Sequence, residues 1–184
     1  MAKRTPGASH PISSRNTIEF DEIPNWQAFE DLVANYFRGT KGQKNIVDVE
    51  VDHSGVGPDG GRDIFITFKM SDSIVSFDRK WIVQCKFYDT PVSKRELSDI
   101  NIPTLIHEYG ADGYLLVCKG QVTSTVSTMF ENLRKRCRMH YSYDFWTGSR
   151  FKSYLNLLPS KSAVIKTHFP AYYRFLQEKG KGCI

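Results

Sequence analysis

Gly57-Pro58-Asp59-Gly60-Gly61-Arg62-Asp63, followed twenty-one residues after Asp63 by Gln84-Cys85-Lys86, is the stretch on which the reading of this chain turns. The first segment sets an acid at the mouth of a strand, directly after a glycine turn that leaves room for a second backbone or a ligand. Aspartate is depleted in strands, so Asp63 at the head of the run 63–68 stands out. The second segment sets a polar side chain and a lysine two residues apart inside an apolar strand. Side chains alternate along a strand, so Gln84 and Lys86 share one face while Trp81, Val83, Cys85 and Phe87 take the other. A lysine held in such a strand beside an acid is costly unless a metal, a phosphate or a counter-charge compensates it. At a sheet edge it would instead snorkel to water. The first alternative points to metal-assisted chemistry on a phosphodiester.

The chain has 184 residues, the size of one ordinary domain. With 40% hydrophobic and 13% aromatic residues it can bury a real core, which excludes global disorder. The net charge of +5 favours anionic partners, nucleic acid first. Cys85, Cys118, Cys137 and Cys183 are widely spaced and form no C-x-x-C pair, so they read as reduced thiols. No signal peptide or membrane-length apolar run is present, and a cytoplasmic location without membrane contact is expected.

Residues 1–16 carry prolines, serines and three basic residues with no apolar period, and read as a flexible basic tail. Asn25 is placed to cap a helix reaching Arg38, with Gly39 as its stop. At 100° per residue, Trp26, Phe29, Leu32, Val33, Tyr36 and Phe37 fill one arc. Glu30 falls at the edge of that arc, facing a site at the rim, while Asp31 points to solvent. Residues 46–52 alternate as a half-exposed strand, 63–68 form a second and 80–87 a third, with 69–79 as a hairpin-like connection. Ser93 and Glu96 match a capping box. Pro103 then requires either two short helices or a kinked one ending at Gly110. Residues 114–118 read as a strand buried on both faces, 124–138 as a helix and 141–146 as a further strand. Two shorter helices are expected near 149–158 and 169–178. Strands and helices alternate from residue 80 onward, which gives an α/β sandwich around a mixed sheet. The domain spans 17–178, and 179–184 reads as a frayed tail or the start of a linker.

Glu30, then Asp59-Gly60-Gly61-Arg62-Asp63, then Gln84-Cys85-Lys86 resembles the PD-(D/E)xK nuclease superfamily. More closely the set is similar to its Mrr-like restriction endonuclease branch, in which Q-x-K stands in place of D/E-x-K. The resemblance covers roughly residues 25–158 and implies a restriction-endonuclease-like sandwich, a central mixed β-sheet flanked by helices. It implies metal-dependent hydrolysis of DNA, in restriction or anti-phage defence. Asp63 would then be the principal ligand of a divalent cation, and Lys86 would orient the attacking water and offset charge on the phosphate. Gln84 would meet the metal or its water through its carbonyl oxygen, the main-chain carbonyl of Cys85 would complete the shell, and Glu30 would reach it from the first helix. Such oxygen donors suit Mg²⁺, with Mn²⁺ as a substitute. Since Gln84 is neutral, one well-held ion is expected and a second only weakly.

Asp59 is the second choice of ligand, Asp-Gly being a common turn pair. Arg62 either meets a phosphate or points to solvent, and Lys94 and Arg95 follow the Q-x-K strand as further phosphate contacts. The basic run 134–138 closes a helix, where cations suit the macrodipole. The aromatic strand 141–146 reads as core before stacking platform. Cutting both strands with one site per chain implies a homodimer or higher oligomer. No G-x-x-x-x-G-K-[ST] loop is present, so a sensor or NTPase function would belong to a further C-terminal domain or subunit. Two other readings stay open: a structure-selective or RNA nuclease, and a catalytically silent fold used for binding.

Overall fold

The computed structural model describes residues 15–53, 62–137, 139–159 and 162–181. The glycine turn 57–61 with Asp59, residues 1–14 of the expected tail, and residues 182–184 lie outside them.

Five strands form one mixed sheet: β1 (Ile46–His53), β2 (Ile64–Ser71), β3 (Ser76–Lys86), β4 (Gly113–Cys118) and β5 (Ser142–Trp146), lying side by side in chain order. The first three run antiparallel, and β4 and β5 continue parallel to β3. Parallel neighbours need crossovers. These are α2 (Ile102–Glu108) between β3 and β4, and α3 (Ser124–Arg136) between β4 and β5. Both pack on one face, over Ile82, Tyr114, Leu116 and Cys118. The opposite face carries α1 (Trp26–Arg38), α4 (Gly148–Leu155), α5 (Ala163–His168) and α6 (Pro170–Lys181), over Ile64, Ile66, Val83, Cys85, Leu115 and Val117. β4 is buried throughout, as a strand covered on both sides must be. This is the mixed α/β sandwich expected from the alternation of elements.

The local signals act mostly as expected. Asn25 caps α1 by accepting the Ala28 N–H at 2.9 Å. The Ser93–Glu96 capping box forms, with the Glu96 carboxylate accepting the Ser93 N–H at 2.7 Å, but it opens only a 3₁₀ turn, Lys94–Leu97. Pro103 does not break a longer helix. It sits in the first turn of α2, where its missing N–H costs nothing.

Three expectations are corrected. Residues 69–71 and 76–79 pair as strand, and only Asp72–Val75 turns the chain. This ribbon is exposed on both faces at its tip, so it carries no apolar alternation; the Asp72 carboxylate holds the turn by accepting the Ile74 and Val75 N–H groups. Helix α5 precedes the expected last helix, while Ile18, Phe20 and Ile23 form a buried segment ahead of α1 within the expected domain. That last helix continues to Lys181, through the first residues of the expected tail.

One glycine ties the layers together. Gly148 opens α4 with its N–H on the Gly120 carbonyl at 2.7 Å, and a Cβ there would lie 1.8 Å from the Lys119 carbonyl oxygen. Gly148→Ala is expected to lower the unfolding free energy by about 3 kcal/mol, read as a fall in the urea midpoint.

Candidate active site

The C-terminal end of β3 and the N-terminal approach to β2 meet at one end of the sheet. The pairing Ile64↔Val83 carries Asp63 beside Gln84, and the Asp63 N–H donates to the Val83 carbonyl at 3.1 Å. One carboxylate oxygen of Asp63, Oδ2, accepts two hydrogen bonds: from the Gln84 amide at 2.7 Å and from the Cys85 main-chain N–H at 2.6 Å. The acid is thereby fixed against β3. A strand residue's N–H and C=O project to the same side. The Cys85 carbonyl therefore faces the Asp63 side.

Gln84 is 5% exposed, and its carbonyl oxygen Oε1 is buried without a hydrogen-bond partner among the described residues. A buried acceptor left unsatisfied costs about 1–3 kcal/mol, so its persistence asks for a donor or cation. Lys86 ends β3 and is half-buried, less enclosed than a mid-strand lysine would be. Glu30 reaches the same cleft from α1. Trp26, Glu30, Asp63, Gln84, Cys85, Lys86, Phe87 and Tyr88 line a cavity of about 330 Å³.

Four of the expected site residues thus meet: Asp63, Gln84, Lys86 and Glu30, with the Cys85 backbone. Asp31 is exposed, 4.0 Å from His53, as expected of a solvated residue. Arg62 does not simply point to solvent. Its guanidinium lies 4.4 Å from the Tyr109 ring centroid and 6.0 Å from that of Phe65, and its Nε is buried. Lys94 and Arg95 are exposed, and Lys94 lines a separate groove with His107 and Arg136 rather than this cleft. Trp26, expected in the buried arc, is 52% exposed and forms a wall of the cleft. It precedes Glu30 by four residues, one helical turn, so the position that brings Glu30 to the rim brings Trp26 with it.

Burial first, then the negative charges of Asp63 and Asp31, push the Glu30 carboxyl from 4.5 up to about 7, against the opposing pull of Lys86. Burial and the charges of Asp63 and Glu30 push the Cys85 thiol well up, so it stays protonated and only its main-chain oxygen can serve as a hard donor. A folded-state carboxyl raised above its unfolded value stabilises the fold fully below the unfolded pKa and loses that contribution as pH rises through the folded one. Glu30→Gln is therefore expected to match the parent well below pH 4.5 and to exceed it above pH 7. The gain is about 1 kcal/mol once solvent screening at this half-exposed group is discounted, read from urea midpoints at the two ends of that range.

The donor set fits a hard divalent cation: two carboxylates, an orphaned amide oxygen and a main-chain carbonyl. Among the described residues no group of three or more His, Cys, Asp or Glu side chains could hold a metal. Among the described residues the cleft offers only Glu30 and Asp63 as acids.

Comparison with known proteins bears on the same residues. No curated protein matches the chain. Two solved structures are similar at low identity: the DNA modification-dependent restriction endonuclease AspBHI, at 13% identity and a TM-score of 0.45, and the MspJI restriction endonuclease in complex with a 27-mer oligonucleotide, at 15% and 0.49. The match to AspBHI covers 96% of this chain and 45% of that one; the match to MspJI covers 82% and 31%. The chain thus spans less than half the length of either. The family model for a restriction endonuclease, the Mrr catalytic domain, matches residues 22–152, from the turn before α1 into α4 and across the whole cleft. Matched over more than half its length, the chain belongs to the restriction endonuclease family of Mrr catalytic domains.

Proposed function

We propose that this chain is a metal-dependent endodeoxyribonuclease of restriction or anti-phage defence, acting in the cytoplasm. The observation that carries the reading is the meeting of Asp63, Glu30, Gln84 and Lys86 at one cleft, with the Gln84 carbonyl oxygen buried and without a hydrogen-bond partner among the described residues. Asp63, Glu30, Gln84 Oε1 and the Cys85 carbonyl would hold one Mg²⁺ or Mn²⁺ ion. When bound, such an ion supplies Lewis-acid chemistry toward a phosphate and acidifies a coordinated water.

The chain's own groups supply the rest. Asp63 is preorganised by its two hydrogen bonds, so no reorientation is required of it during the reaction. Lys86, a compact charge on a flexible stem, sits where a phosphate oxygen gaining charge can be met. Glu30, titrating at about 7 before a cation is bound, can give up or take a proton at its carboxyl oxygen near neutral pH. Arg62, Lys94 and Arg95 would extend phosphate contact away from the cleft. Cutting both strands calls for a homodimer or higher oligomer. A C-terminal sensor or NTPase domain or subunit would supply activation.

The test is cleavage of supercoiled plasmid in Mg²⁺, in Mn²⁺ and in chelator. Lys86→Ala is expected to slow metal-dependent cleavage by about 10²–10³-fold while leaving the mobility shift in place. Plasmid that stays intact under every metal yet still shifts on a gel would assign the chain to binding alone. Preferential cutting of branched DNA or RNA would assign it to the structure-selective class.

A further inference from the structure

A second cavity, of about 210 Å³, lies on the opposite sheet face from Gln84 and Lys86. Four aromatic rings from four different elements line it beside Ile66, Val83 and Leu115: Phe37 at the end of α1, Phe68 of β2, Trp81 of β3 and Trp146 of β5. Phe37 and Trp146 are stacked at 5.5 Å between centroids, and Phe37 meets Phe68 edge-on at 6.0 Å. Phe68, Trp81 and Trp146 are only half-buried, so the rings open to solvent. The Trp81 ring lies close against Gly113, where a Cβ would come within 2.9 Å of it.

The polar group at the rim is the Asp144 carboxylate, held by Arg134 at 3.0 Å and by Arg150 at 2.9 Å. Arg79 lies 5.4 Å from the Trp81 ring centroid and donates to the Ser142 hydroxyl. Two guanidiniums on one carboxylate leave this group net positive. This combination decides the ligand class. A quaternary ammonium would suit the rings but would be repelled by the arginines. A plain aliphatic group would leave the cationic rim unmatched. A planar heteroaromatic ring carrying an anionic group satisfies both, with the ring between the aromatic walls and the anion on the guanidiniums. Asp144 adds an acceptor for a ring or exocyclic N–H.

We propose that this aromatic pocket binds a nucleotide, its base among Phe37, Phe68, Trp81 and Trp146 and its phosphate against Arg150 and its neighbours. The cavity holds little more than a base, so the sugar and phosphate stay at the rim. A free nucleotide and an unpaired nucleotide of a strand share this chemistry. The site is independent of the nuclease reading, because none of its residues lines the catalytic cleft.

Two of the three tryptophans, Trp81 and Trp146, stand in the pocket, and the third, Trp26, is in the catalytic cleft. Intrinsic fluorescence of the whole chain carrying Trp26→Phe therefore reports on the pocket alone. Titration with AMP and CMP, with a duplex carrying one unpaired base, and with the fully paired duplex tests the assignment. Saturable quenching by the mononucleotides identifies a free-nucleotide site; quenching only by the duplex with the unpaired base identifies a strand-borne one. Phe68→Ala should weaken binding at least about tenfold. Arg150→Gln should weaken the monophosphate but not the corresponding nucleoside, a split that stays readable if Phe68→Ala fails to fold. Asp63→Ala should remove cleavage and leave the quenching in place. Absence of saturable quenching by every probe, or its loss in Asp63→Ala with the fold intact, overturns the proposal.

Discussion

Asp63→Ala is expected to lower metal-dependent DNA cleavage by at least about 10³-fold in a folded protein. The carboxylate does two things at once. It supplies the most constrained oxygen in the cleft, and it anchors both the Gln84 amide and the Cys85 N–H through a single oxygen. Removing it therefore loses a metal donor and lets β3's end relax, while stranding two donors at a cost of about 1–3 kcal/mol. It also removes one of the two negative charges that hold Glu30 up, so the Glu30 carboxyl should fall back toward its ordinary value. Loss of cleavage with a native circular dichroism spectrum and a downward-shifted Glu30 titration is the expected combination. Cleavage that persists in both Asp63→Ala and Lys86→Ala would remove this cleft from consideration as the catalytic site.

Gln84→Glu is expected to have the second-largest effect, lowering stability without metal and tightening metal binding. In the parent, the Gln84 amide donates to Asp63 Oδ2 at 2.7 Å. A glutamate there would set two carboxylates at hydrogen-bond distance in a buried setting, where like charges cannot both ionise freely. Without metal the variant should lose about 2 kcal/mol or more of stability near neutral pH, and recover on acidification as the pair takes up a shared proton. With Mg²⁺ or Mn²⁺ the added acid completes a three-carboxylate set, so the ion should bind about tenfold tighter or better and saturating metal should return about 1.4 kcal/mol of the deficit for each tenfold gained. Thermal denaturation with and without metal reads both halves. A variant as stable as the parent in chelator would show that Gln84 does not face Asp63 in solution.

Much of this was legible in the residues. The meander-then-crossover order of the sheet follows from alternating strands up to residue 86 and from alternating strand and helix beyond it. Asp63, Gln84 and Lys86 could be aligned from period-two spacing and a glycine turn, and the helical wheel placed Glu30 at the rim. The elements that were missed share one cause. The strand ends 69–71 and 76–79 and helix α5 are short, and their apolar residues have no period to betray them. Trp26 was assigned to the core because hydrophobicity locates a residue's arc on its helix, not whether a neighbouring layer extends far enough to cover it.

The chain's own pattern determined the α/β class, the identity of the catalytic candidates and the faces they occupy, since side-chain periodicity and turn chemistry are local. Distances and fields were decided only by the tertiary structure. Arg62 is a free cation in the sequence, but α2 brings Tyr109 beneath it. Glu30 is an ordinary carboxylate until burial and two other acids raise it to about 7. The aromatic pocket draws its rings from positions 37, 68, 81 and 146, which no spacing rule connects. Electrostatic and packing energies depend on separation in space and on local dielectric, and both are properties of the assembled layers rather than of the order of residues.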